Sequence, residues 1–254
     1  MFKVIRIFFL LLILAGVAIG SWRDKIRSVE WKSTLPVIIY LINADGSPVV
    51  TDYLRSLTVD NFKPIETFMR DEATRYDRSS NASIEIKLGG ILDSLPPEAP
   101  RNGSSIEIII WSLRMRWWSF HNTVTLGSTP QVKIFLLYFD PAQTKLLGHS
   151  TGLQKGLIGR VNVFASQEMS LQNNVVITHE FLHTLGATDK YDFSTNQPIY
   201  PVGYANPELQ PLLPQRYAEI MAGRIPRSQF EAVIPDSLDD VLIGIQTANE
   251  INWH

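Results

Sequence analysis

Runs of apolar residues divide the first two thirds of the chain into predicted strands. Residues 37–43 predict a buried strand, and further strands are predicted at residues 83–88, 106–113, 132–139 and 157–165. Residues 61–75 instead carry apolar side chains at helical spacing, with Pro64 in the first turn, and predict an amphipathic helix. This order of strands and helices predicts an α+β domain with a mixed twisted sheet.

The last third of the chain has a different pattern. Val175, Val176 and Ile177 continue into further apolar positions at 181, 182 and 185, which predicts a helix buried on most sides. A proline-rich stretch at 198–214 predicts a loop. Residues 237–251 predict a C-terminal helix with Asp236 as its cap.

The polar exceptions on the apolar helix carry the candidate chemistry. His179 and His183 are four residues apart, so a helix places both imidazoles on one face, where they can bind one metal ion. Glu180 follows the first histidine and is positioned to deprotonate a water at that ion. The spacing indicates a zinc hydrolase site.

A third ligand requires the chain to turn back. In a continued helix, Asp189 would lie about 15 Å beyond His179 along the axis, at about 1.5 Å per residue. Gly186 can adopt the left-handed conformation that ends a helix and can bring Asp189 back to the metal. Two histidines and one carboxylate leave the fourth position of a catalytic Zn²⁺ to water.

The segment from His179 to Asp189 resembles the signature of the metzincin metallopeptidases, in the aspartate variant of the snapalysin-like bacterial secreted proteases. Residues 218–223 are similar to the methionine-containing turn that supports the metal in that family. Met221 is the methionine of this turn and has no chemistry of its own. Tyr191 matches the snapalysin-like position after the aspartate. The resemblance implies a zincin-like catalytic domain with an active-site helix.

Two assignments within the resemblance stay open. About thirty residues separate Asp189 from Met221, more than the snapalysin-like spacing implies. The residues around Asp189 also resemble the immune-inhibitor type of metallopeptidase, in which a later glutamate is a metal ligand, so Glu219 is the rival third ligand. Tyr191 either donates its hydroxyl to an oxyanion or packs beside the site.

Substrate binding is expected at an edge strand above the metal. The resemblance implies that such a strand pairs with an extended peptide, and residues 159–164 are the candidate, with an ordinary internal strand as the alternative. The cations and aromatics of residues 114–118 either contact a membrane or polysaccharide or serve the core. His121 and His149 are expected to be surface or loop residues and not ligands.

The N-terminus predicts export. Lys3 and Arg6 precede an uncharged run at residues 7–22, whose apolar part is typical of a signal peptide and short for a bilayer span. The segment is either cleaved or kept as a membrane anchor. The expected organisation is residues 1–22 as signal peptide or anchor and residues 23–254 as one domain, with a short linker at 23–34, outside the bacterial cytoplasm.

Composition narrows the function further. The chain has no cysteine, so disulfides are excluded. Its 23 basic and 25 acidic residues nearly balance, so the chain has no net positive potential that would attract nucleic acid. The expected function is an exported zinc metalloendopeptidase that cleaves proteins or peptides with a zinc-bound water activated by Glu180. The alternatives are an envelope-tethered zinc protein with a binding or structural role, and a zinc hydrolase of a non-protein amide such as peptidoglycan.

Overall fold

A five-stranded sheet forms the centre of the molecule. The computed structural model describes residues 25–78, 83–100, 103–124 and 131–253, together with positions 6, 20 and 23. The order across the sheet is β2-β1-β3-β5-β4. Four strands are parallel, whereas β4 is antiparallel to β5 and forms an edge. The strands are β1 (Leu35–Asn43), β2 (Ile84–Leu92), β3 (Val132–Phe139), β4 (Thr151–Leu153) and β5 (Ile158–Phe164).

Helices cover both faces of this sheet. On one face pack α1 (Pro48–Ser56), α2 (Lys63–Arg75) and α4 (Ser170–Leu185), while α3 (Ser105–Asn122) packs on the other. The side chains of β1 alternate accordingly, because successive residues of a strand point to opposite faces. Val37 and Ile39 join the core beneath α4, and Ile38 and Tyr40 join the core beneath α3.

The region after α4 consists mostly of loops and short paired strands. Two small sheets pair β6 (Ala218–Glu219) with β9 (Val241–Leu242) and β7 (Ile225–Pro226) with β8 (Ala232–Val233). The last helix is α5 (Ile245–Glu250). Trp253 follows it and packs against Trp31, with ring centroids 5.5 Å apart, so residues near both ends of the described chain share one core.

Most of the predicted elements are confirmed, and the mixed α/β architecture agrees with the predicted α+β class. Strands occupy four of the five predicted apolar runs as β1, β2, β3 and β5. The helix predicted at 61–75 is present as a short 3₁₀ turn, Val59–Phe62, followed by α2. The predicted helix around residues 175–185 is α4.

The strand predicted at residues 106–113 is wrong, because this segment begins helix α3. Its isoleucines favour a strand by propensity, but β2 and β3 both run parallel to β1. A connection between parallel strands has to cross over, and a helix is the usual crossover. Ser104 and Glu107 form a capping box at its start, so the first turn is satisfied locally.

The long C-terminal helix predicted at residues 237–251 is also wrong. Ser237, and not Asp236, caps a 3₁₀ turn at Leu238–Asp240, which leads into β9 and then the short α5. Two backbone N–H groups after β9 donate hydrogen bonds to buried carboxylates. Ile243 N donates to Glu72, and Gly244 N donates to Glu219. These bonds hold the backbone in a non-helical path.

The predicted export segment at residues 7–22 lies outside the described residues, apart from position 20. In the part of the chain that the structure describes, no helix is both long enough and apolar enough to cross a membrane. Within the predicted linker at 23–34, residues 25–28 are helical and Trp31 is buried. Trp31 Nε1 donates to the carbonyl of Ile251, which fastens this stretch to the domain.

Candidate metal centre

Helix α4 provides a rigid support for the two histidines. Its apolar residues, among them Phe181 and Leu182, are buried in the main core. Gly186 ends the helix in the left-handed conformation, with φ of 113°, and its N–H bonds the carbonyls of Leu182 and His183. The chain then reverses, as a glycine at this position allows.

The reversal brings Asp189 to the histidines. Asp189 Oδ1 lies 3.1 Å from Nε2 of His179 and 3.1 Å from Nε2 of His183, and the two Nε2 atoms are 3.0 Å apart. These three residues form a group whose ligand atoms converge closely enough to hold one metal ion.

The hydrogen bonds on the far side of each imidazole fit this arrangement. His179 Nδ1 lies 3.0 Å from the carbonyl oxygen of Ile220, and His183 Nδ1 lies 2.8 Å from that of Ala187. A carbonyl oxygen only accepts, so each Nδ1 is the protonated nitrogen. In the neutral rings the lone pair is therefore on Nε2 and points into the cluster, as metal-binding histidines require.

The electrostatics of the cluster match a cation site. Burial lowers the pKa of His179, but its hydrogen bond with Asp189 and the charge of Glu180 outweigh burial and raise that pKa to about 9. Burial raises the pKa of Asp189, yet hydrogen bonding with Nε2 of His179 and with Nε2 of His183 holds this pKa well below its usual range. The anionic Asp189 thus favours positive charge, which a proton or a metal ion can supply.

Glu180 lines the same cleft as the two histidines and has an unused oxygen. The residue is only 7% exposed, and its Oε2 is buried without a hydrogen-bond partner among the described residues. Burial raises the pKa of Glu180, while the charges of His179 and His183 act in the opposite direction. A buried, unpaired carboxylate oxygen is costly, so this atom is a candidate for a proton-transfer role.

The rival ligand Glu219 is engaged elsewhere. Its side-chain oxygens accept hydrogen bonds from Met221 N at 2.7 Å, Ala222 N at 2.9 Å, Gly244 N at 3.1 Å and Thr247 Oγ1 at 2.6 Å. Burial raises the pKa of Glu219, and the Thr247 hydrogen bond opposes it. Glu219 does not belong to the converging metal group, so the geometry favours Asp189 as the third ligand.

Glu219 instead shapes the turn that contains Met221. This turn touches the site at two backbone carbonyls, because Ile220 O bonds His179 and Met221 O accepts from Lys190 N at 3.0 Å. Met221 itself is fully buried. The turn therefore fixes one imidazole and the loop that carries Asp189.

A second device holds the Asp189 loop from the other side. Glu250 of α5 accepts hydrogen bonds from the backbone N and side-chain Oγ1 of Thr188, at 2.9 and 2.7 Å. It also pairs with the buried ammonium of Lys190 at 2.8 Å. Asp189 lies between these two anchored residues, which orients its carboxylate toward the histidines.

The metal group lines a cleft of about 650 Å³ whose rim includes β4. The backbone of β4 lies directly on α4, since a Cβ added at Gly152 would collide with the Cβ of His183 and the carbonyl oxygen of Glu180. Residues 159–164, the candidate substrate strand, form β5, which lies between β3 and β4. The alternative, an ordinary internal strand, is therefore confirmed for these residues, and the edge strand beside the site is β4.

Tyr191 also lines the cleft. Burial and the charges of Asp189 and Glu180 raise the pKa of Tyr191 to about 12, so the phenol keeps its proton at neutral pH. The proline-rich loop passes behind it, because Tyr191 bridges to Pro198 and Ile199 N donates to the carbonyl of Lys190.

Two residues that the sequence did not single out as functional also face the site. His149 lines the main cleft and an adjoining pocket of about 380 Å³, and Arg224 lines that pocket together with Val176, Ile220 and Ile234. His121, by contrast, is exposed on α3. No signal in the sequence marks His149 or Arg224, because each reaches the site from a loop distant in sequence from α4.

Comparisons with known proteins assign the chain to no family. No protein-family model matches the chain, and no curated protein matches it significantly in sequence.

Proposed function

We propose that the chain is an exported zinc-dependent metalloendopeptidase with a metzincin-like catalytic domain. The observation that carries the proposal is the convergence of His179, His183 and Asp189 beside the unpaired oxygen of Glu180. The uncharged run at residues 7–22 supports a location outside the cytoplasm, with the segment cleaved or kept as an anchor.

Each residue has a distinct role in this proposal. His179, His183 and Asp189 would hold Zn²⁺, which when bound acidifies water and polarises a carbonyl. Glu180 takes a proton from the attacking water at Oε2 and delivers it to the leaving amine. Tyr191, protonated at neutral pH, donates its hydroxyl to the developing oxyanion.

The edge strand supports a peptide substrate. An extended peptide can pair with the free side of β4 and so lie across the metal group. This placement favours a peptide over a peptidoglycan amide, whose glycan would suit an open aromatic groove. The unpaired carboxylate of Glu180 argues against a purely structural metal, because a structural site has no use for a base.

The decisive variant is Glu180→Ala in the full chain. We expect it to retain zinc, measured by elemental analysis, and to lose cleavage of a denatured protein by about 10²- to 10⁴-fold, the usual contribution of a general base. Glu231→Ala, an exposed glutamate outside the cleft, is the matched control and should keep full activity. Undiminished cleavage by Glu180→Ala would overturn the mechanism.

A further inference from the structure

The adjoining pocket of about 380 Å³ opens directly from the metal cleft, and we call it the side pocket. It shares five lining residues with the cleft: His149, Ser150, His179, Glu180 and Tyr191. His179 belongs to the metal group, and Glu180 is the proposed base. A substrate group in the side pocket therefore lies next to the bond that the proposed peptidase cuts, so this pocket can select the residue beside that bond.

Away from the metal group, much of the side-pocket wall is apolar. Val175 and Val176 of α4, Ile220 of the Met221 turn and Ile234 line it. Val175 and Ile220 are buried in the main core, which fixes this part of the wall. Apolar walls favour the methylene groups of a substrate side chain, whereas recognition of a polar end needs a polar or charged partner.

Arg224 provides that charge, and it is the only lysine or arginine among the described residues that line the side pocket. It directly follows the Met221 turn, which Gly223 N closes by donating to the carbonyl of Glu219 at 3.0 Å. The next residue, Ile225, begins β7 and packs into the main core. Because neighbouring side chains of an extended segment point in opposite directions, the side chain of Arg224 is directed away from that core.

The guanidinium of Arg224 has donors to spare. Its Nη1 donates a long hydrogen bond of 3.5 Å to the carbonyl of Ala232, and no ion pair joins Arg224 to the residues that the structure describes. Glu180 is the only acidic residue among the described lining residues, and its Oε2 has no hydrogen-bond partner among them. A guanidinium has five N–H donors and binds a carboxylate through two parallel hydrogen bonds.

We infer that the side pocket binds an acidic side chain of the substrate, with its methylene groups against Val176 and Ile234 and its carboxylate on Arg224. The inference rests on the proposed function and names its substrate class: proteins or peptides with glutamate or aspartate beside the cleaved bond. A neutral side chain would leave the guanidinium without a counter-charge, and a basic one would be repelled. The C-terminal carboxylate of a peptide has the same chemistry, so the test distinguishes the two sources.

The test uses peptides with blocked ends that differ only at one central residue, which is Glu, Gln or Lys. The ratio of kcat/KM between peptides is measured for the wild type, Arg224→Gln and Arg224→Glu, and mass spectrometry of the products locates the cut. Arg227→Gln is the matched control, because Arg227 is an exposed arginine three residues further on and lines neither the cleft nor the side pocket.

We expect the wild type and Arg227→Gln to prefer the Glu peptide over the Gln peptide by about tenfold, with the cut beside the Glu, because a hydrogen-bonded charge pair contributes about that much. Arg224→Gln should lose this preference, and Arg224→Glu should reverse it in favour of Lys. An Arg224 that only supports the backbone at Ala232 would produce no such reversal. Equal cleavage of the peptides by the wild type would overturn the inference and leave the proposed peptidase intact.

A binding measurement separates the inference from the proposed cleavage. Fluorescence anisotropy of the labelled peptides is recorded with Glu180→Ala, alone and combined with Arg224→Gln. If the wild type cuts no peptide, the proposed function fails and binding decides: tighter binding of the Glu peptide that Arg224→Gln abolishes supports the inference, and equal affinities contradict it. A preference seen only in peptides with a free C-terminus would assign the side pocket to a chain terminus and overturn the assignment to a side chain.

Discussion

The helices α3 and α4 cover opposite faces of one sheet and have similarly apolar sequences, yet only α4 is enclosed. The C-terminal region, from the loop after Gly186 to Trp253, supplies additional residues to the core around α4. No described element covers the outer face of α3. In α4 the polar residues are the exceptions and carry the candidate chemistry, whereas in α3 the apolar residues face outward. An apolar helix therefore reveals its role only when its neighbours are known.

The largest difference between the helices should appear in a matched pair of truncations. Phe181 on α4 is 1% exposed and Phe120 on α3 is 76% exposed. Phe181→Ala should lower the free energy of unfolding by about 3–5 kcal/mol, because it leaves a cavity. Phe120→Ala should change it by less than about 0.5 kcal/mol. Urea denaturation measures both, and a comparable loss in the two variants would mean that α3 is covered in solution.

The next contrast concerns the polar residues. Asp189→Ala should weaken Zn²⁺ binding by at least about 100-fold, since losses of 10- to 100-fold are usual even for groups that only support a ligand. Competition with a chromogenic chelator measures this affinity. Glu219→Gln, which keeps an oxygen acceptor in the turn, and Arg114→Gln on α3 should retain the metal. If Glu219→Gln lost zinc and Asp189→Ala kept it, the third ligand would be Glu219.

A smaller effect on the free energy of unfolding is expected at the ion pair of Lys190 and Glu250, beyond the end of α4. Lys190 is 1% exposed and Glu250 is 20% exposed in their side chains. Glu250→Gln should lower the free energy of unfolding by about 2 kcal/mol at pH 7, which is less than the loss expected when a fully buried ion pair is broken. The exposed pair of Asp52 and Arg55 is the control, and Asp52→Asn should cost at most about 0.5 kcal/mol.

The stabilisation by the Lys190–Glu250 pair depends on pH in a definite direction. Burial raises the pKa of Glu250, but hydrogen bonds from Lys190 and Thr188 outweigh it and lower the pKa below 4.5. The stabilisation is therefore complete above pH 4.5 and is lost as the pH falls through the lowered pKa of the folded state. Melting temperatures of wild type and Glu250→Gln should converge in that acidic range. A gap that persisted there would show that charge is not the cause.

Local rules account for the elements that the sequence predicted correctly. Strands β1, β3 and β5 are rich in apolar residues, and Gly186 ends α4 by the left-handed conformation that glycine favours. The same rules misread α3, where the isoleucines favoured a strand although Ser104 and Glu107 form a capping box three residues apart. Strand propensity is a weak guide when parallel strands require a crossover.

The sequence by itself determined where the candidate ligands lie on α4, because a helix with histidines at i and i+4 necessarily presents both on one face. Tertiary structure decided the rest. It placed Asp189, and not Glu219, beside those histidines, because Glu250 and the Met221 turn hold the Asp189 loop while four donors occupy Glu219. It also made β4 the edge beside the site and left α3 uncovered. These outcomes depend on contacts between residues far apart in the chain, which no local pattern encodes.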